Sequence, residues 1–364
     1  MRGVRRSIFL IVMVLMAVGI VMIYSASAIY AFEKMGDSLY YIKRHLIYIG
    51  IGLTLMFLAM SVNLKIVKRA ARPIMIVALL ALVLVLVPHI GRETSGARRW
   101  FRLGFFNFQP SELMKLAMVV YIADLVSRKE KVIKNFIRGF MPPLIVLGVA
   151  AGLILLEPDL GTAVTISLVA IMMLYVSGVR QSHIIGCVLA GLPALYVLMF
   201  SVPYRRKRIM AFLNPWADKR GSGFQIIQSF VALGSGGFFG VGLGQSRQKL
   251  FYLPASHTDF IFSIIGEELG FIGTASIVAL FAAFLWQGMR VAFKAGDTFN
   301  RLLAFGIVSM ISIEALINIG VTAGALPTKG LPLPFISYGG SGLIFHLAAV
   351  GLLLNVARRC ETRR

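Results

Sequence analysis

Ile8–Tyr30, IFLIVMVLMAVGIVMIYSASAIY, runs without one charged residue, and about 20 apolar residues are what a helix needs to cross bilayer hydrocarbon. Blocks of that order recur at His45–Val62, Ile74–His89, Glu112–Val126, Phe140–Leu156, Thr162–Ser177, His183–Val202, Phe260–Gln287, Leu302–Gly324 and Ser341–Ala357. With 58% hydrophobic and 14% charged residues, the chain carries more apolar surface than a soluble domain can bury. It reads as an all-α polytopic membrane protein of about ten transmembrane helices. Residues 1–364 form a single integral membrane domain, with a large extracytoplasmic loop, residues 203–259, between the seventh and eighth helices. The fourth block is the least regular, being short and containing Glu112, Lys115 and Asp124.

An even number of spans puts both termini on one side. Arg2, Arg5 and Arg6 precede the first span and Arg358, Arg359, Arg363 and Arg364 follow the last, so both tails are expected in the cytoplasm. Lys65, Lys68, Arg69 and Arg72 in one turn and Arg128, Lys129, Lys131, Lys134 and Arg138 in another agree with that orientation. The N-terminus imitates a secretory signal ending at Ala26-Ser27-Ala28, but its apolar core exceeds the usual ~7–15 residues and is expected to stay uncleaved. Cys187 and Cys360 offer neither a disulfide framework nor a cysteine metal site.

The outside segments break the topology rule. Residues 203–259 hold eight basic residues, among them Arg205, Arg206 and Lys249, against two acids, Asp218 and Asp259. Anionic headgroups or a phosphorylated substrate would account for that excess. The net charge of +22 is therefore no argument for nucleic acid. Gly240-Val241-Gly242-Leu243-Gly244 follows no expected strand, and no Gly-x-x-x-x-Gly-Lys-Ser/Thr occurs, which argues against a nucleotide loop. Those glycines suit backbone packed at membrane depth.

Polar residues cluster at the ends of the apolar blocks. Gly96-Ala97-Arg98-Arg99-Trp100-Phe101-Arg102 runs on through Phe105 and Phe106 to Gln109-Pro110-Ser111-Glu112 and Lys115. Pro110 suits a helix start, and Glu112 and Lys115 share a helix face. In Glu157-Pro158-Asp159-Leu160-Gly161-Thr162, Asp159 suits an N-cap. The two carboxylates would otherwise hold a divalent cation or pair with the arginines. Gly324–Gly342 carries Pro327, Pro332 and Pro334 together with Lys329 and Ser337, which describes an irregular, partly buried segment. His257-Thr258-Asp259-Phe260 stands at the lip of a span with Glu267 and Glu268 two turns inside. Intramembrane acids are expensive and point to function. Asp259 serves either as a helix cap or as a reactive carboxylate, and structural pairing is the leading reading for Glu267 and Glu268. Glu314 and Asn318 suggest interhelical hydrogen bonds.

At these motifs, and through Gly223-Phe224-Gln225, Gly244-Gln245-Ser246 and Leu253-Pro254, the whole chain resembles the shape, elongation, division and sporulation (SEDS) family of bacterial cell-wall synthesis. Pro327-Thr328-Lys329-Gly330 is similar to the division branch rather than the elongation branch. The resemblance implies a peptidoglycan glycosyltransferase that polymerises lipid II at the outer face of the cytoplasmic membrane, at the septum, with a class B penicillin-binding protein and other division proteins as partners. It places the essential loop aspartate on Asp259. Glycan extension needs a base for the acceptor hydroxyl and positive charge for a departing lipid pyrophosphate; Asp259 would supply the first and the loop arginines the second. Arg99, Glu112, Lys115, Glu157, Asp159, Arg205, Arg206, Lys249, His257, Lys329 and Ser337 are the candidate substrate-binding residues, magnesium or manganese is the cofactor to consider, and no organic cofactor is expected. Ala255 and Gly342 depart from the family's frequent Glu and Ser. The competing functions are a lipid II flippase and a non-catalytic division scaffold.

Overall fold

The computed structural model describes residues 1–362 apart from residues 95, 96, 105, 251 and 255. Gly96, Phe105, Ala255, Arg363 and Arg364 therefore lie outside the described residues. The chain forms α1 (Arg2–Met35), α2 (Tyr40–Ser61), α3 (Leu64–Leu86), strands β1 (Arg92–Thr94), β2 (Ala97–Leu103) and β3 (Phe106–Phe108), then α4 (Pro110–Lys129), α5 (Met141–Leu156), α6 (Leu160–Val176) and α7 (Gln181–Phe200). It continues through α8 (Pro203–Leu213), α9 (Phe224–Ser235), α10 (Ile261–Lys294), α11 (Thr298–Thr322) and α12 (Ser341–Thr362). Among the described residues, eight helices are long and apolar enough to cross a membrane: α1, α2, α3, α5 with the π-turn before it, α7, α10, α11 and α12. The two other expected spans are also helices, α4 with its charges and α6 with 17 residues.

Lipid offers no partner for backbone N–H and C=O groups, so helix ends need caps. Gly36 closes α1 in the left-handed region at φ 70°, its N–H reaching Phe32 O. Asn63, Asp159 and Asp297 open α3, α6 and α11 through their side chains. Arg5 pairs with Glu361 at 3.5 Å, and Asn355 donates to Ala59 O and Val62 O. Both chain ends thus lie at one end of the bundle, beside the α2–α3 turn. α11 and α12 form its centre, 78% and 83% buried over their most apolar windows, whereas α7 is 0% buried and lies at the rim.

Two expectations are corrected. The segment read as an interfacial loop is a three-stranded antiparallel sheet, β1-β2-β3, standing on the all-α bundle. The eighth span, expected as continuous from Phe260, is broken at Gly270 (φ 65°, ψ −161°). The chain after α9 enters that break. Val241 and Gly242 donate to the carbonyls of Glu267 and Glu268, while Phe271 N and Ile272 N reach Gly237 O and Phe238 O. A Cβ on Gly270 would stand 2.3 Å from Gly240 N, so glycine is required where the two backbones cross. Glu267 accepts from Ser246 Oγ and Arg247 N, and Glu268 accepts from Ser25 Oγ and from Lys249 Nζ at 2.8 Å. Both acids hold the returning loop in place. Residues 203–259 are accordingly a folded layer of α8, α9 and this inserted turn.

Candidate functional site

Asp259 lies just before α10, on a backbone held by its neighbours. Three consecutive carbonyls accept hydrogen bonds: His257 O from Tyr338 N at 3.1 Å, Thr258 O from Ser337 Oγ at 2.6 Å, and Asp259 O from Asn318 Nδ2 at 2.8 Å. Asn318 also donates to Leu331 O at 2.7 Å, tying α11 to the proline-rich segment. Pro327, Pro332 and Pro334 keep that segment out of helix, and it wraps the aspartate. Gly330 completes the enclosure, since a Cβ there would stand 3.3 Å from Asp259 Oδ2.

The carboxylate itself is not used as a cap. Phe260 is the N-cap of α10, with no side-chain cap bond. Burial pushes the Asp259 carboxyl up to about 6, with Arg208 opposing and the Asp159 charge adding to the rise. A value there leaves the group ionised at neutral pH and able to take a proton.

Asp259 stands where two cavities meet. One, of about 430 Å³, extends past Tyr48, Trp100, Asn107, Gln109, Glu112 and Tyr338; the other, of about 720 Å³, extends past Tyr204, Arg205, Arg208, Thr328 and Lys329. Arg99, Asp159, Asp259 and Gly330 line both. Arg99 is fixed on the Glu157-Pro158 turn, donating to both carbonyls at 2.7 Å. Asp159 caps α6 through Thr162 N at 3.0 Å and still borders the junction. Burial lowers the Lys329 ammonium, with Asp159 opposing.

The remaining sequence candidates sit elsewhere. Lys115 lies behind the first cavity in a buried cluster, 2.9 Å from Glu112 and 2.6 Å from Glu314, which meets His346 at 2.7 Å. Glu112 faces the cavity and Lys115 does not. Glu157 is wholly buried, and burial followed by the Asp159 charge pushes its carboxyl up to about 8. Lys249 is paired with Glu268 away from both cavities, and Arg206 is exposed on α8. His257, among Tyr30, Tyr41 and Tyr338 and pushed down by burial to about 4, is neutral. His257 and Ser337 hold the aspartate's backbone and line neither cavity. Sequence reasoning did not assign Arg208 or Gly330 to the site, and it read Asn318 only as a source of interhelical hydrogen bonds. Arg208 shares a face of α8 with Arg205 at i, i+3, and an amide in an apolar helix is itself a signal.

Metal ligation by protein alone is not provided: among the described residues no group of three or more His, Cys, Asp or Glu side chains is placed to hold an ion. Asp159 and Asp259 do border one junction, and that fits a divalent cation held by one or two carboxylates plus substrate phosphates.

Residues 5–362 match the family described as cell cycle protein, the FtsW/RodA/SpoVE group. The chain is 49% identical over 354 residues to a probable peptidoglycan glycosyltransferase FtsW of Geobacter metallireducens, covering 97% of this chain and 94% of the relative. It is 48% identical to stage V sporulation protein E of Bacillus subtilis, covering 96% and 95%. Among solved structures it resembles a chain reported under "Structural coordination of polymerization and crosslinking by a peptidoglycan synthase complex", with TM-score 0.79, 31% identity and 97% of each chain covered. Rod shape determining protein RodA of Thermus thermophilus gives TM-score 0.71 at 30% identity, covering 96% and 95%. The chain is a member of the FtsW/RodA/SpoVE family of cell cycle proteins.

Proposed function

We propose that this protein is the peptidoglycan glycosyltransferase of cell division, polymerising lipid II at the outer face of the cytoplasmic membrane. The observation that carries the reading is the Asp259 carboxylate at the junction of two cavities, its backbone fixed by three successive hydrogen bonds. Two lipid-linked sugars have to meet where one base serves both, and a junction provides that. The acceptor sugar hydroxyl gives its proton to Asp259 as its oxygen bonds to the donor's anomeric carbon. The bond from that carbon to the pyrophosphate oxygen breaks, and undecaprenyl pyrophosphate leaves with the electron pair. Attack opposite the leaving group inverts the anomeric centre. Arg205, Arg208 and Lys329 line the second cavity, where cations stabilise the departing charge. That assigns the donor to the second cavity and the acceptor to the first. A divalent cation at Asp159 and Asp259 would neutralise the same pyrophosphate.

The relatives' names and the synthase-complex title support a polymerase working with a crosslinking partner, here a class B penicillin-binding protein, with further division proteins at the septum. The positive-inside rule supports cytoplasmic termini. A flippase would line a path through several spans with polar groups, whereas the buried Glu112, Lys115, Glu314 and His346 are paired with one another and Asp259 and the cations of the two cavities gather at one end. A scaffold would have no use for the enclosed aspartate. The test is glycan synthesis from fluorescent lipid II in proteoliposomes, with and without partner and divalent cation. Asp259→Asn is expected to abolish polymer while the protein stays folded; normal polymer from this variant would sink the assignment.

A further inference from the structure

At the opposite end of the bundle, the first turns of α3 and the last turns of α4 enclose a cleft of about 490 Å³ lined by Lys65, Lys68, Arg69, Arg72, Asp124 and Arg128. The four cations of α3 stand at i, i+3, i+4 and i+7, the spacing of a single helix face. Asp124 is buried and committed to Arg128 at 3.0 and 2.5 Å. Lys68 lies 5.7 Å from the centre of the Phe299 ring. Among the described residues no ion pair within 4.0 Å joins a cation of α3 to a carboxylate; Asp124, near enough to Lys68 and Arg72 to feel their charge, is the one acid lining the cleft, against five cations. They also crowd the N-terminal end of a helix with no acid in its first turn, where the helix dipole disfavours positive charge and favours an anion.

Topology alone asks for positive charge at this end, not for a single face turned into a cleft. The neighbouring turn shows the difference: Lys129 donates to Arg138 O and neither Lys131 nor Lys134 lines this cleft, whereas all four cations of α3 do, Lys68 half-buried and the other three exposed at its mouth. We propose that the α3–α4 cleft is a phosphate-binding site, taking the phosphate of an anionic lipid headgroup from the adjoining leaflet. Four cations around a small volume at the depth of helix ends match a headgroup seated between two spans. The site lies at the other end of the bundle from Asp259 and is independent of the polymerase reading.

The experiment is native mass spectrometry of the full chain released from micelles with equal amounts of phosphatidylcholine and phosphatidylglycerol, with inorganic pyrophosphate as a second probe. One variant carries Lys68→Gln and Arg72→Gln. A second adds Ile66→Lys and Ala70→Lys, restoring the charge count off the cleft face, and size-exclusion profiles confirm folding of each. The wild type should retain phosphatidylglycerol preferentially, and both variants should lose about 25-fold of that preference, at about fivefold per cation. If pyrophosphate binds the wild type and displaces the lipid, but binds neither variant, the site stands with a soluble phosphate as its source. Equal retention by the wild type and the charge-restored variant would overturn the proposal in favour of net charge. A wild type without preference for either probe would overturn it as well.

Discussion

Asp259 and the Glu267–Glu268 pair lie within three helical turns of one another, and the sequence presents them as similar acids at a membrane edge. Their surroundings divide them. Glu267 and Glu268 have their oxygens met by Ser246, Arg247 N, Ser25 and Lys249. At Asp259 the hydrogen bonds converge on the backbone, and the carboxylate borders two cavities. An acid whose side chain is satisfied does structural work, because removing it strands its partners. An acid whose backbone is fixed and whose carboxylate faces open space is arranged for chemistry.

The largest effect should separate the two in opposite directions. Asp259→Asn should lower polymerisation at least about 100-fold, the lower end of what a general base contributes, with an unfolding temperature at neutral pH equal to or above the wild type's, because the burial that raises this carboxyl makes its ionised form costly to the fold. Glu268→Gln leaves Lys249 charged and buried, and orphaning one partner of such a pair costs about 3–5 kcal/mol. Thermal melts should show that loss, and Glu268→Gln with Lys249→Met should recover part of it. A stable Glu268→Gln variant or an unstable Asp259→Asn variant would break the comparison.

Asn318 tests whether the fixed backbone matters. Asn318→Leu frees the carbonyls of Asp259 and Leu331, at about 1–3 kcal/mol of stability for buried groups left unsatisfied. The expected signature is a fall in kcat of about tenfold or more, as a base moves out of reach, with KM nearly constant. A rise in KM with kcat intact would make Asn318 a cavity-shaping residue instead.

The apolar spans were legible because lipid demands them, and the loop glycines because backbone packed at membrane depth needs them. The break at Gly270 was not. Its flanks, Glu268-Leu269 and Phe271-Ile272, read as continuous helix, and the partner segment 237–242 comes from elsewhere in the chain. The strands β1, β2 and β3 were hidden for a similar reason, since arginine and aromatic residues also suit an interfacial loop. Asp259 was legible by its isolation in a basic loop. Asn318 reaches it across 59 residues, a closure that no local pattern announces. Lys249, one cation among eight in residues 203–259, belongs to Glu268 for the same reason.

The pH dependence follows from the same enclosure. With the Asp259 carboxyl at about 6, activity should fall about tenfold per pH unit below that value, as the base is protonated, and level off above it. Arg208 holds the value down, so Arg208→Gln should move the midpoint upward. Stability should run the other way. A raised carboxyl favours the protonated fold, so its contribution is full below the unfolded value of 3.8 and is lost as pH rises through about 6.

The smallest change addresses the wall. Gly330→Ala introduces a methyl 3.3 Å from Asp259 Oδ2, close enough that the carboxylate must turn by a few tenths of an ångström. No charge is altered and no hydrogen bond is removed, so stability should stay within about 0.5 kcal/mol. Polymerisation should nevertheless fall severalfold, because a general base has to lie within hydrogen-bond reach of the proton it takes. A control alanine at Gly148 of α5, with open space where its methyl would stand and outside both cavities, should leave the rate alone. If the two alanines behave alike, the position of the Asp259 carboxylate is not what limits the reaction.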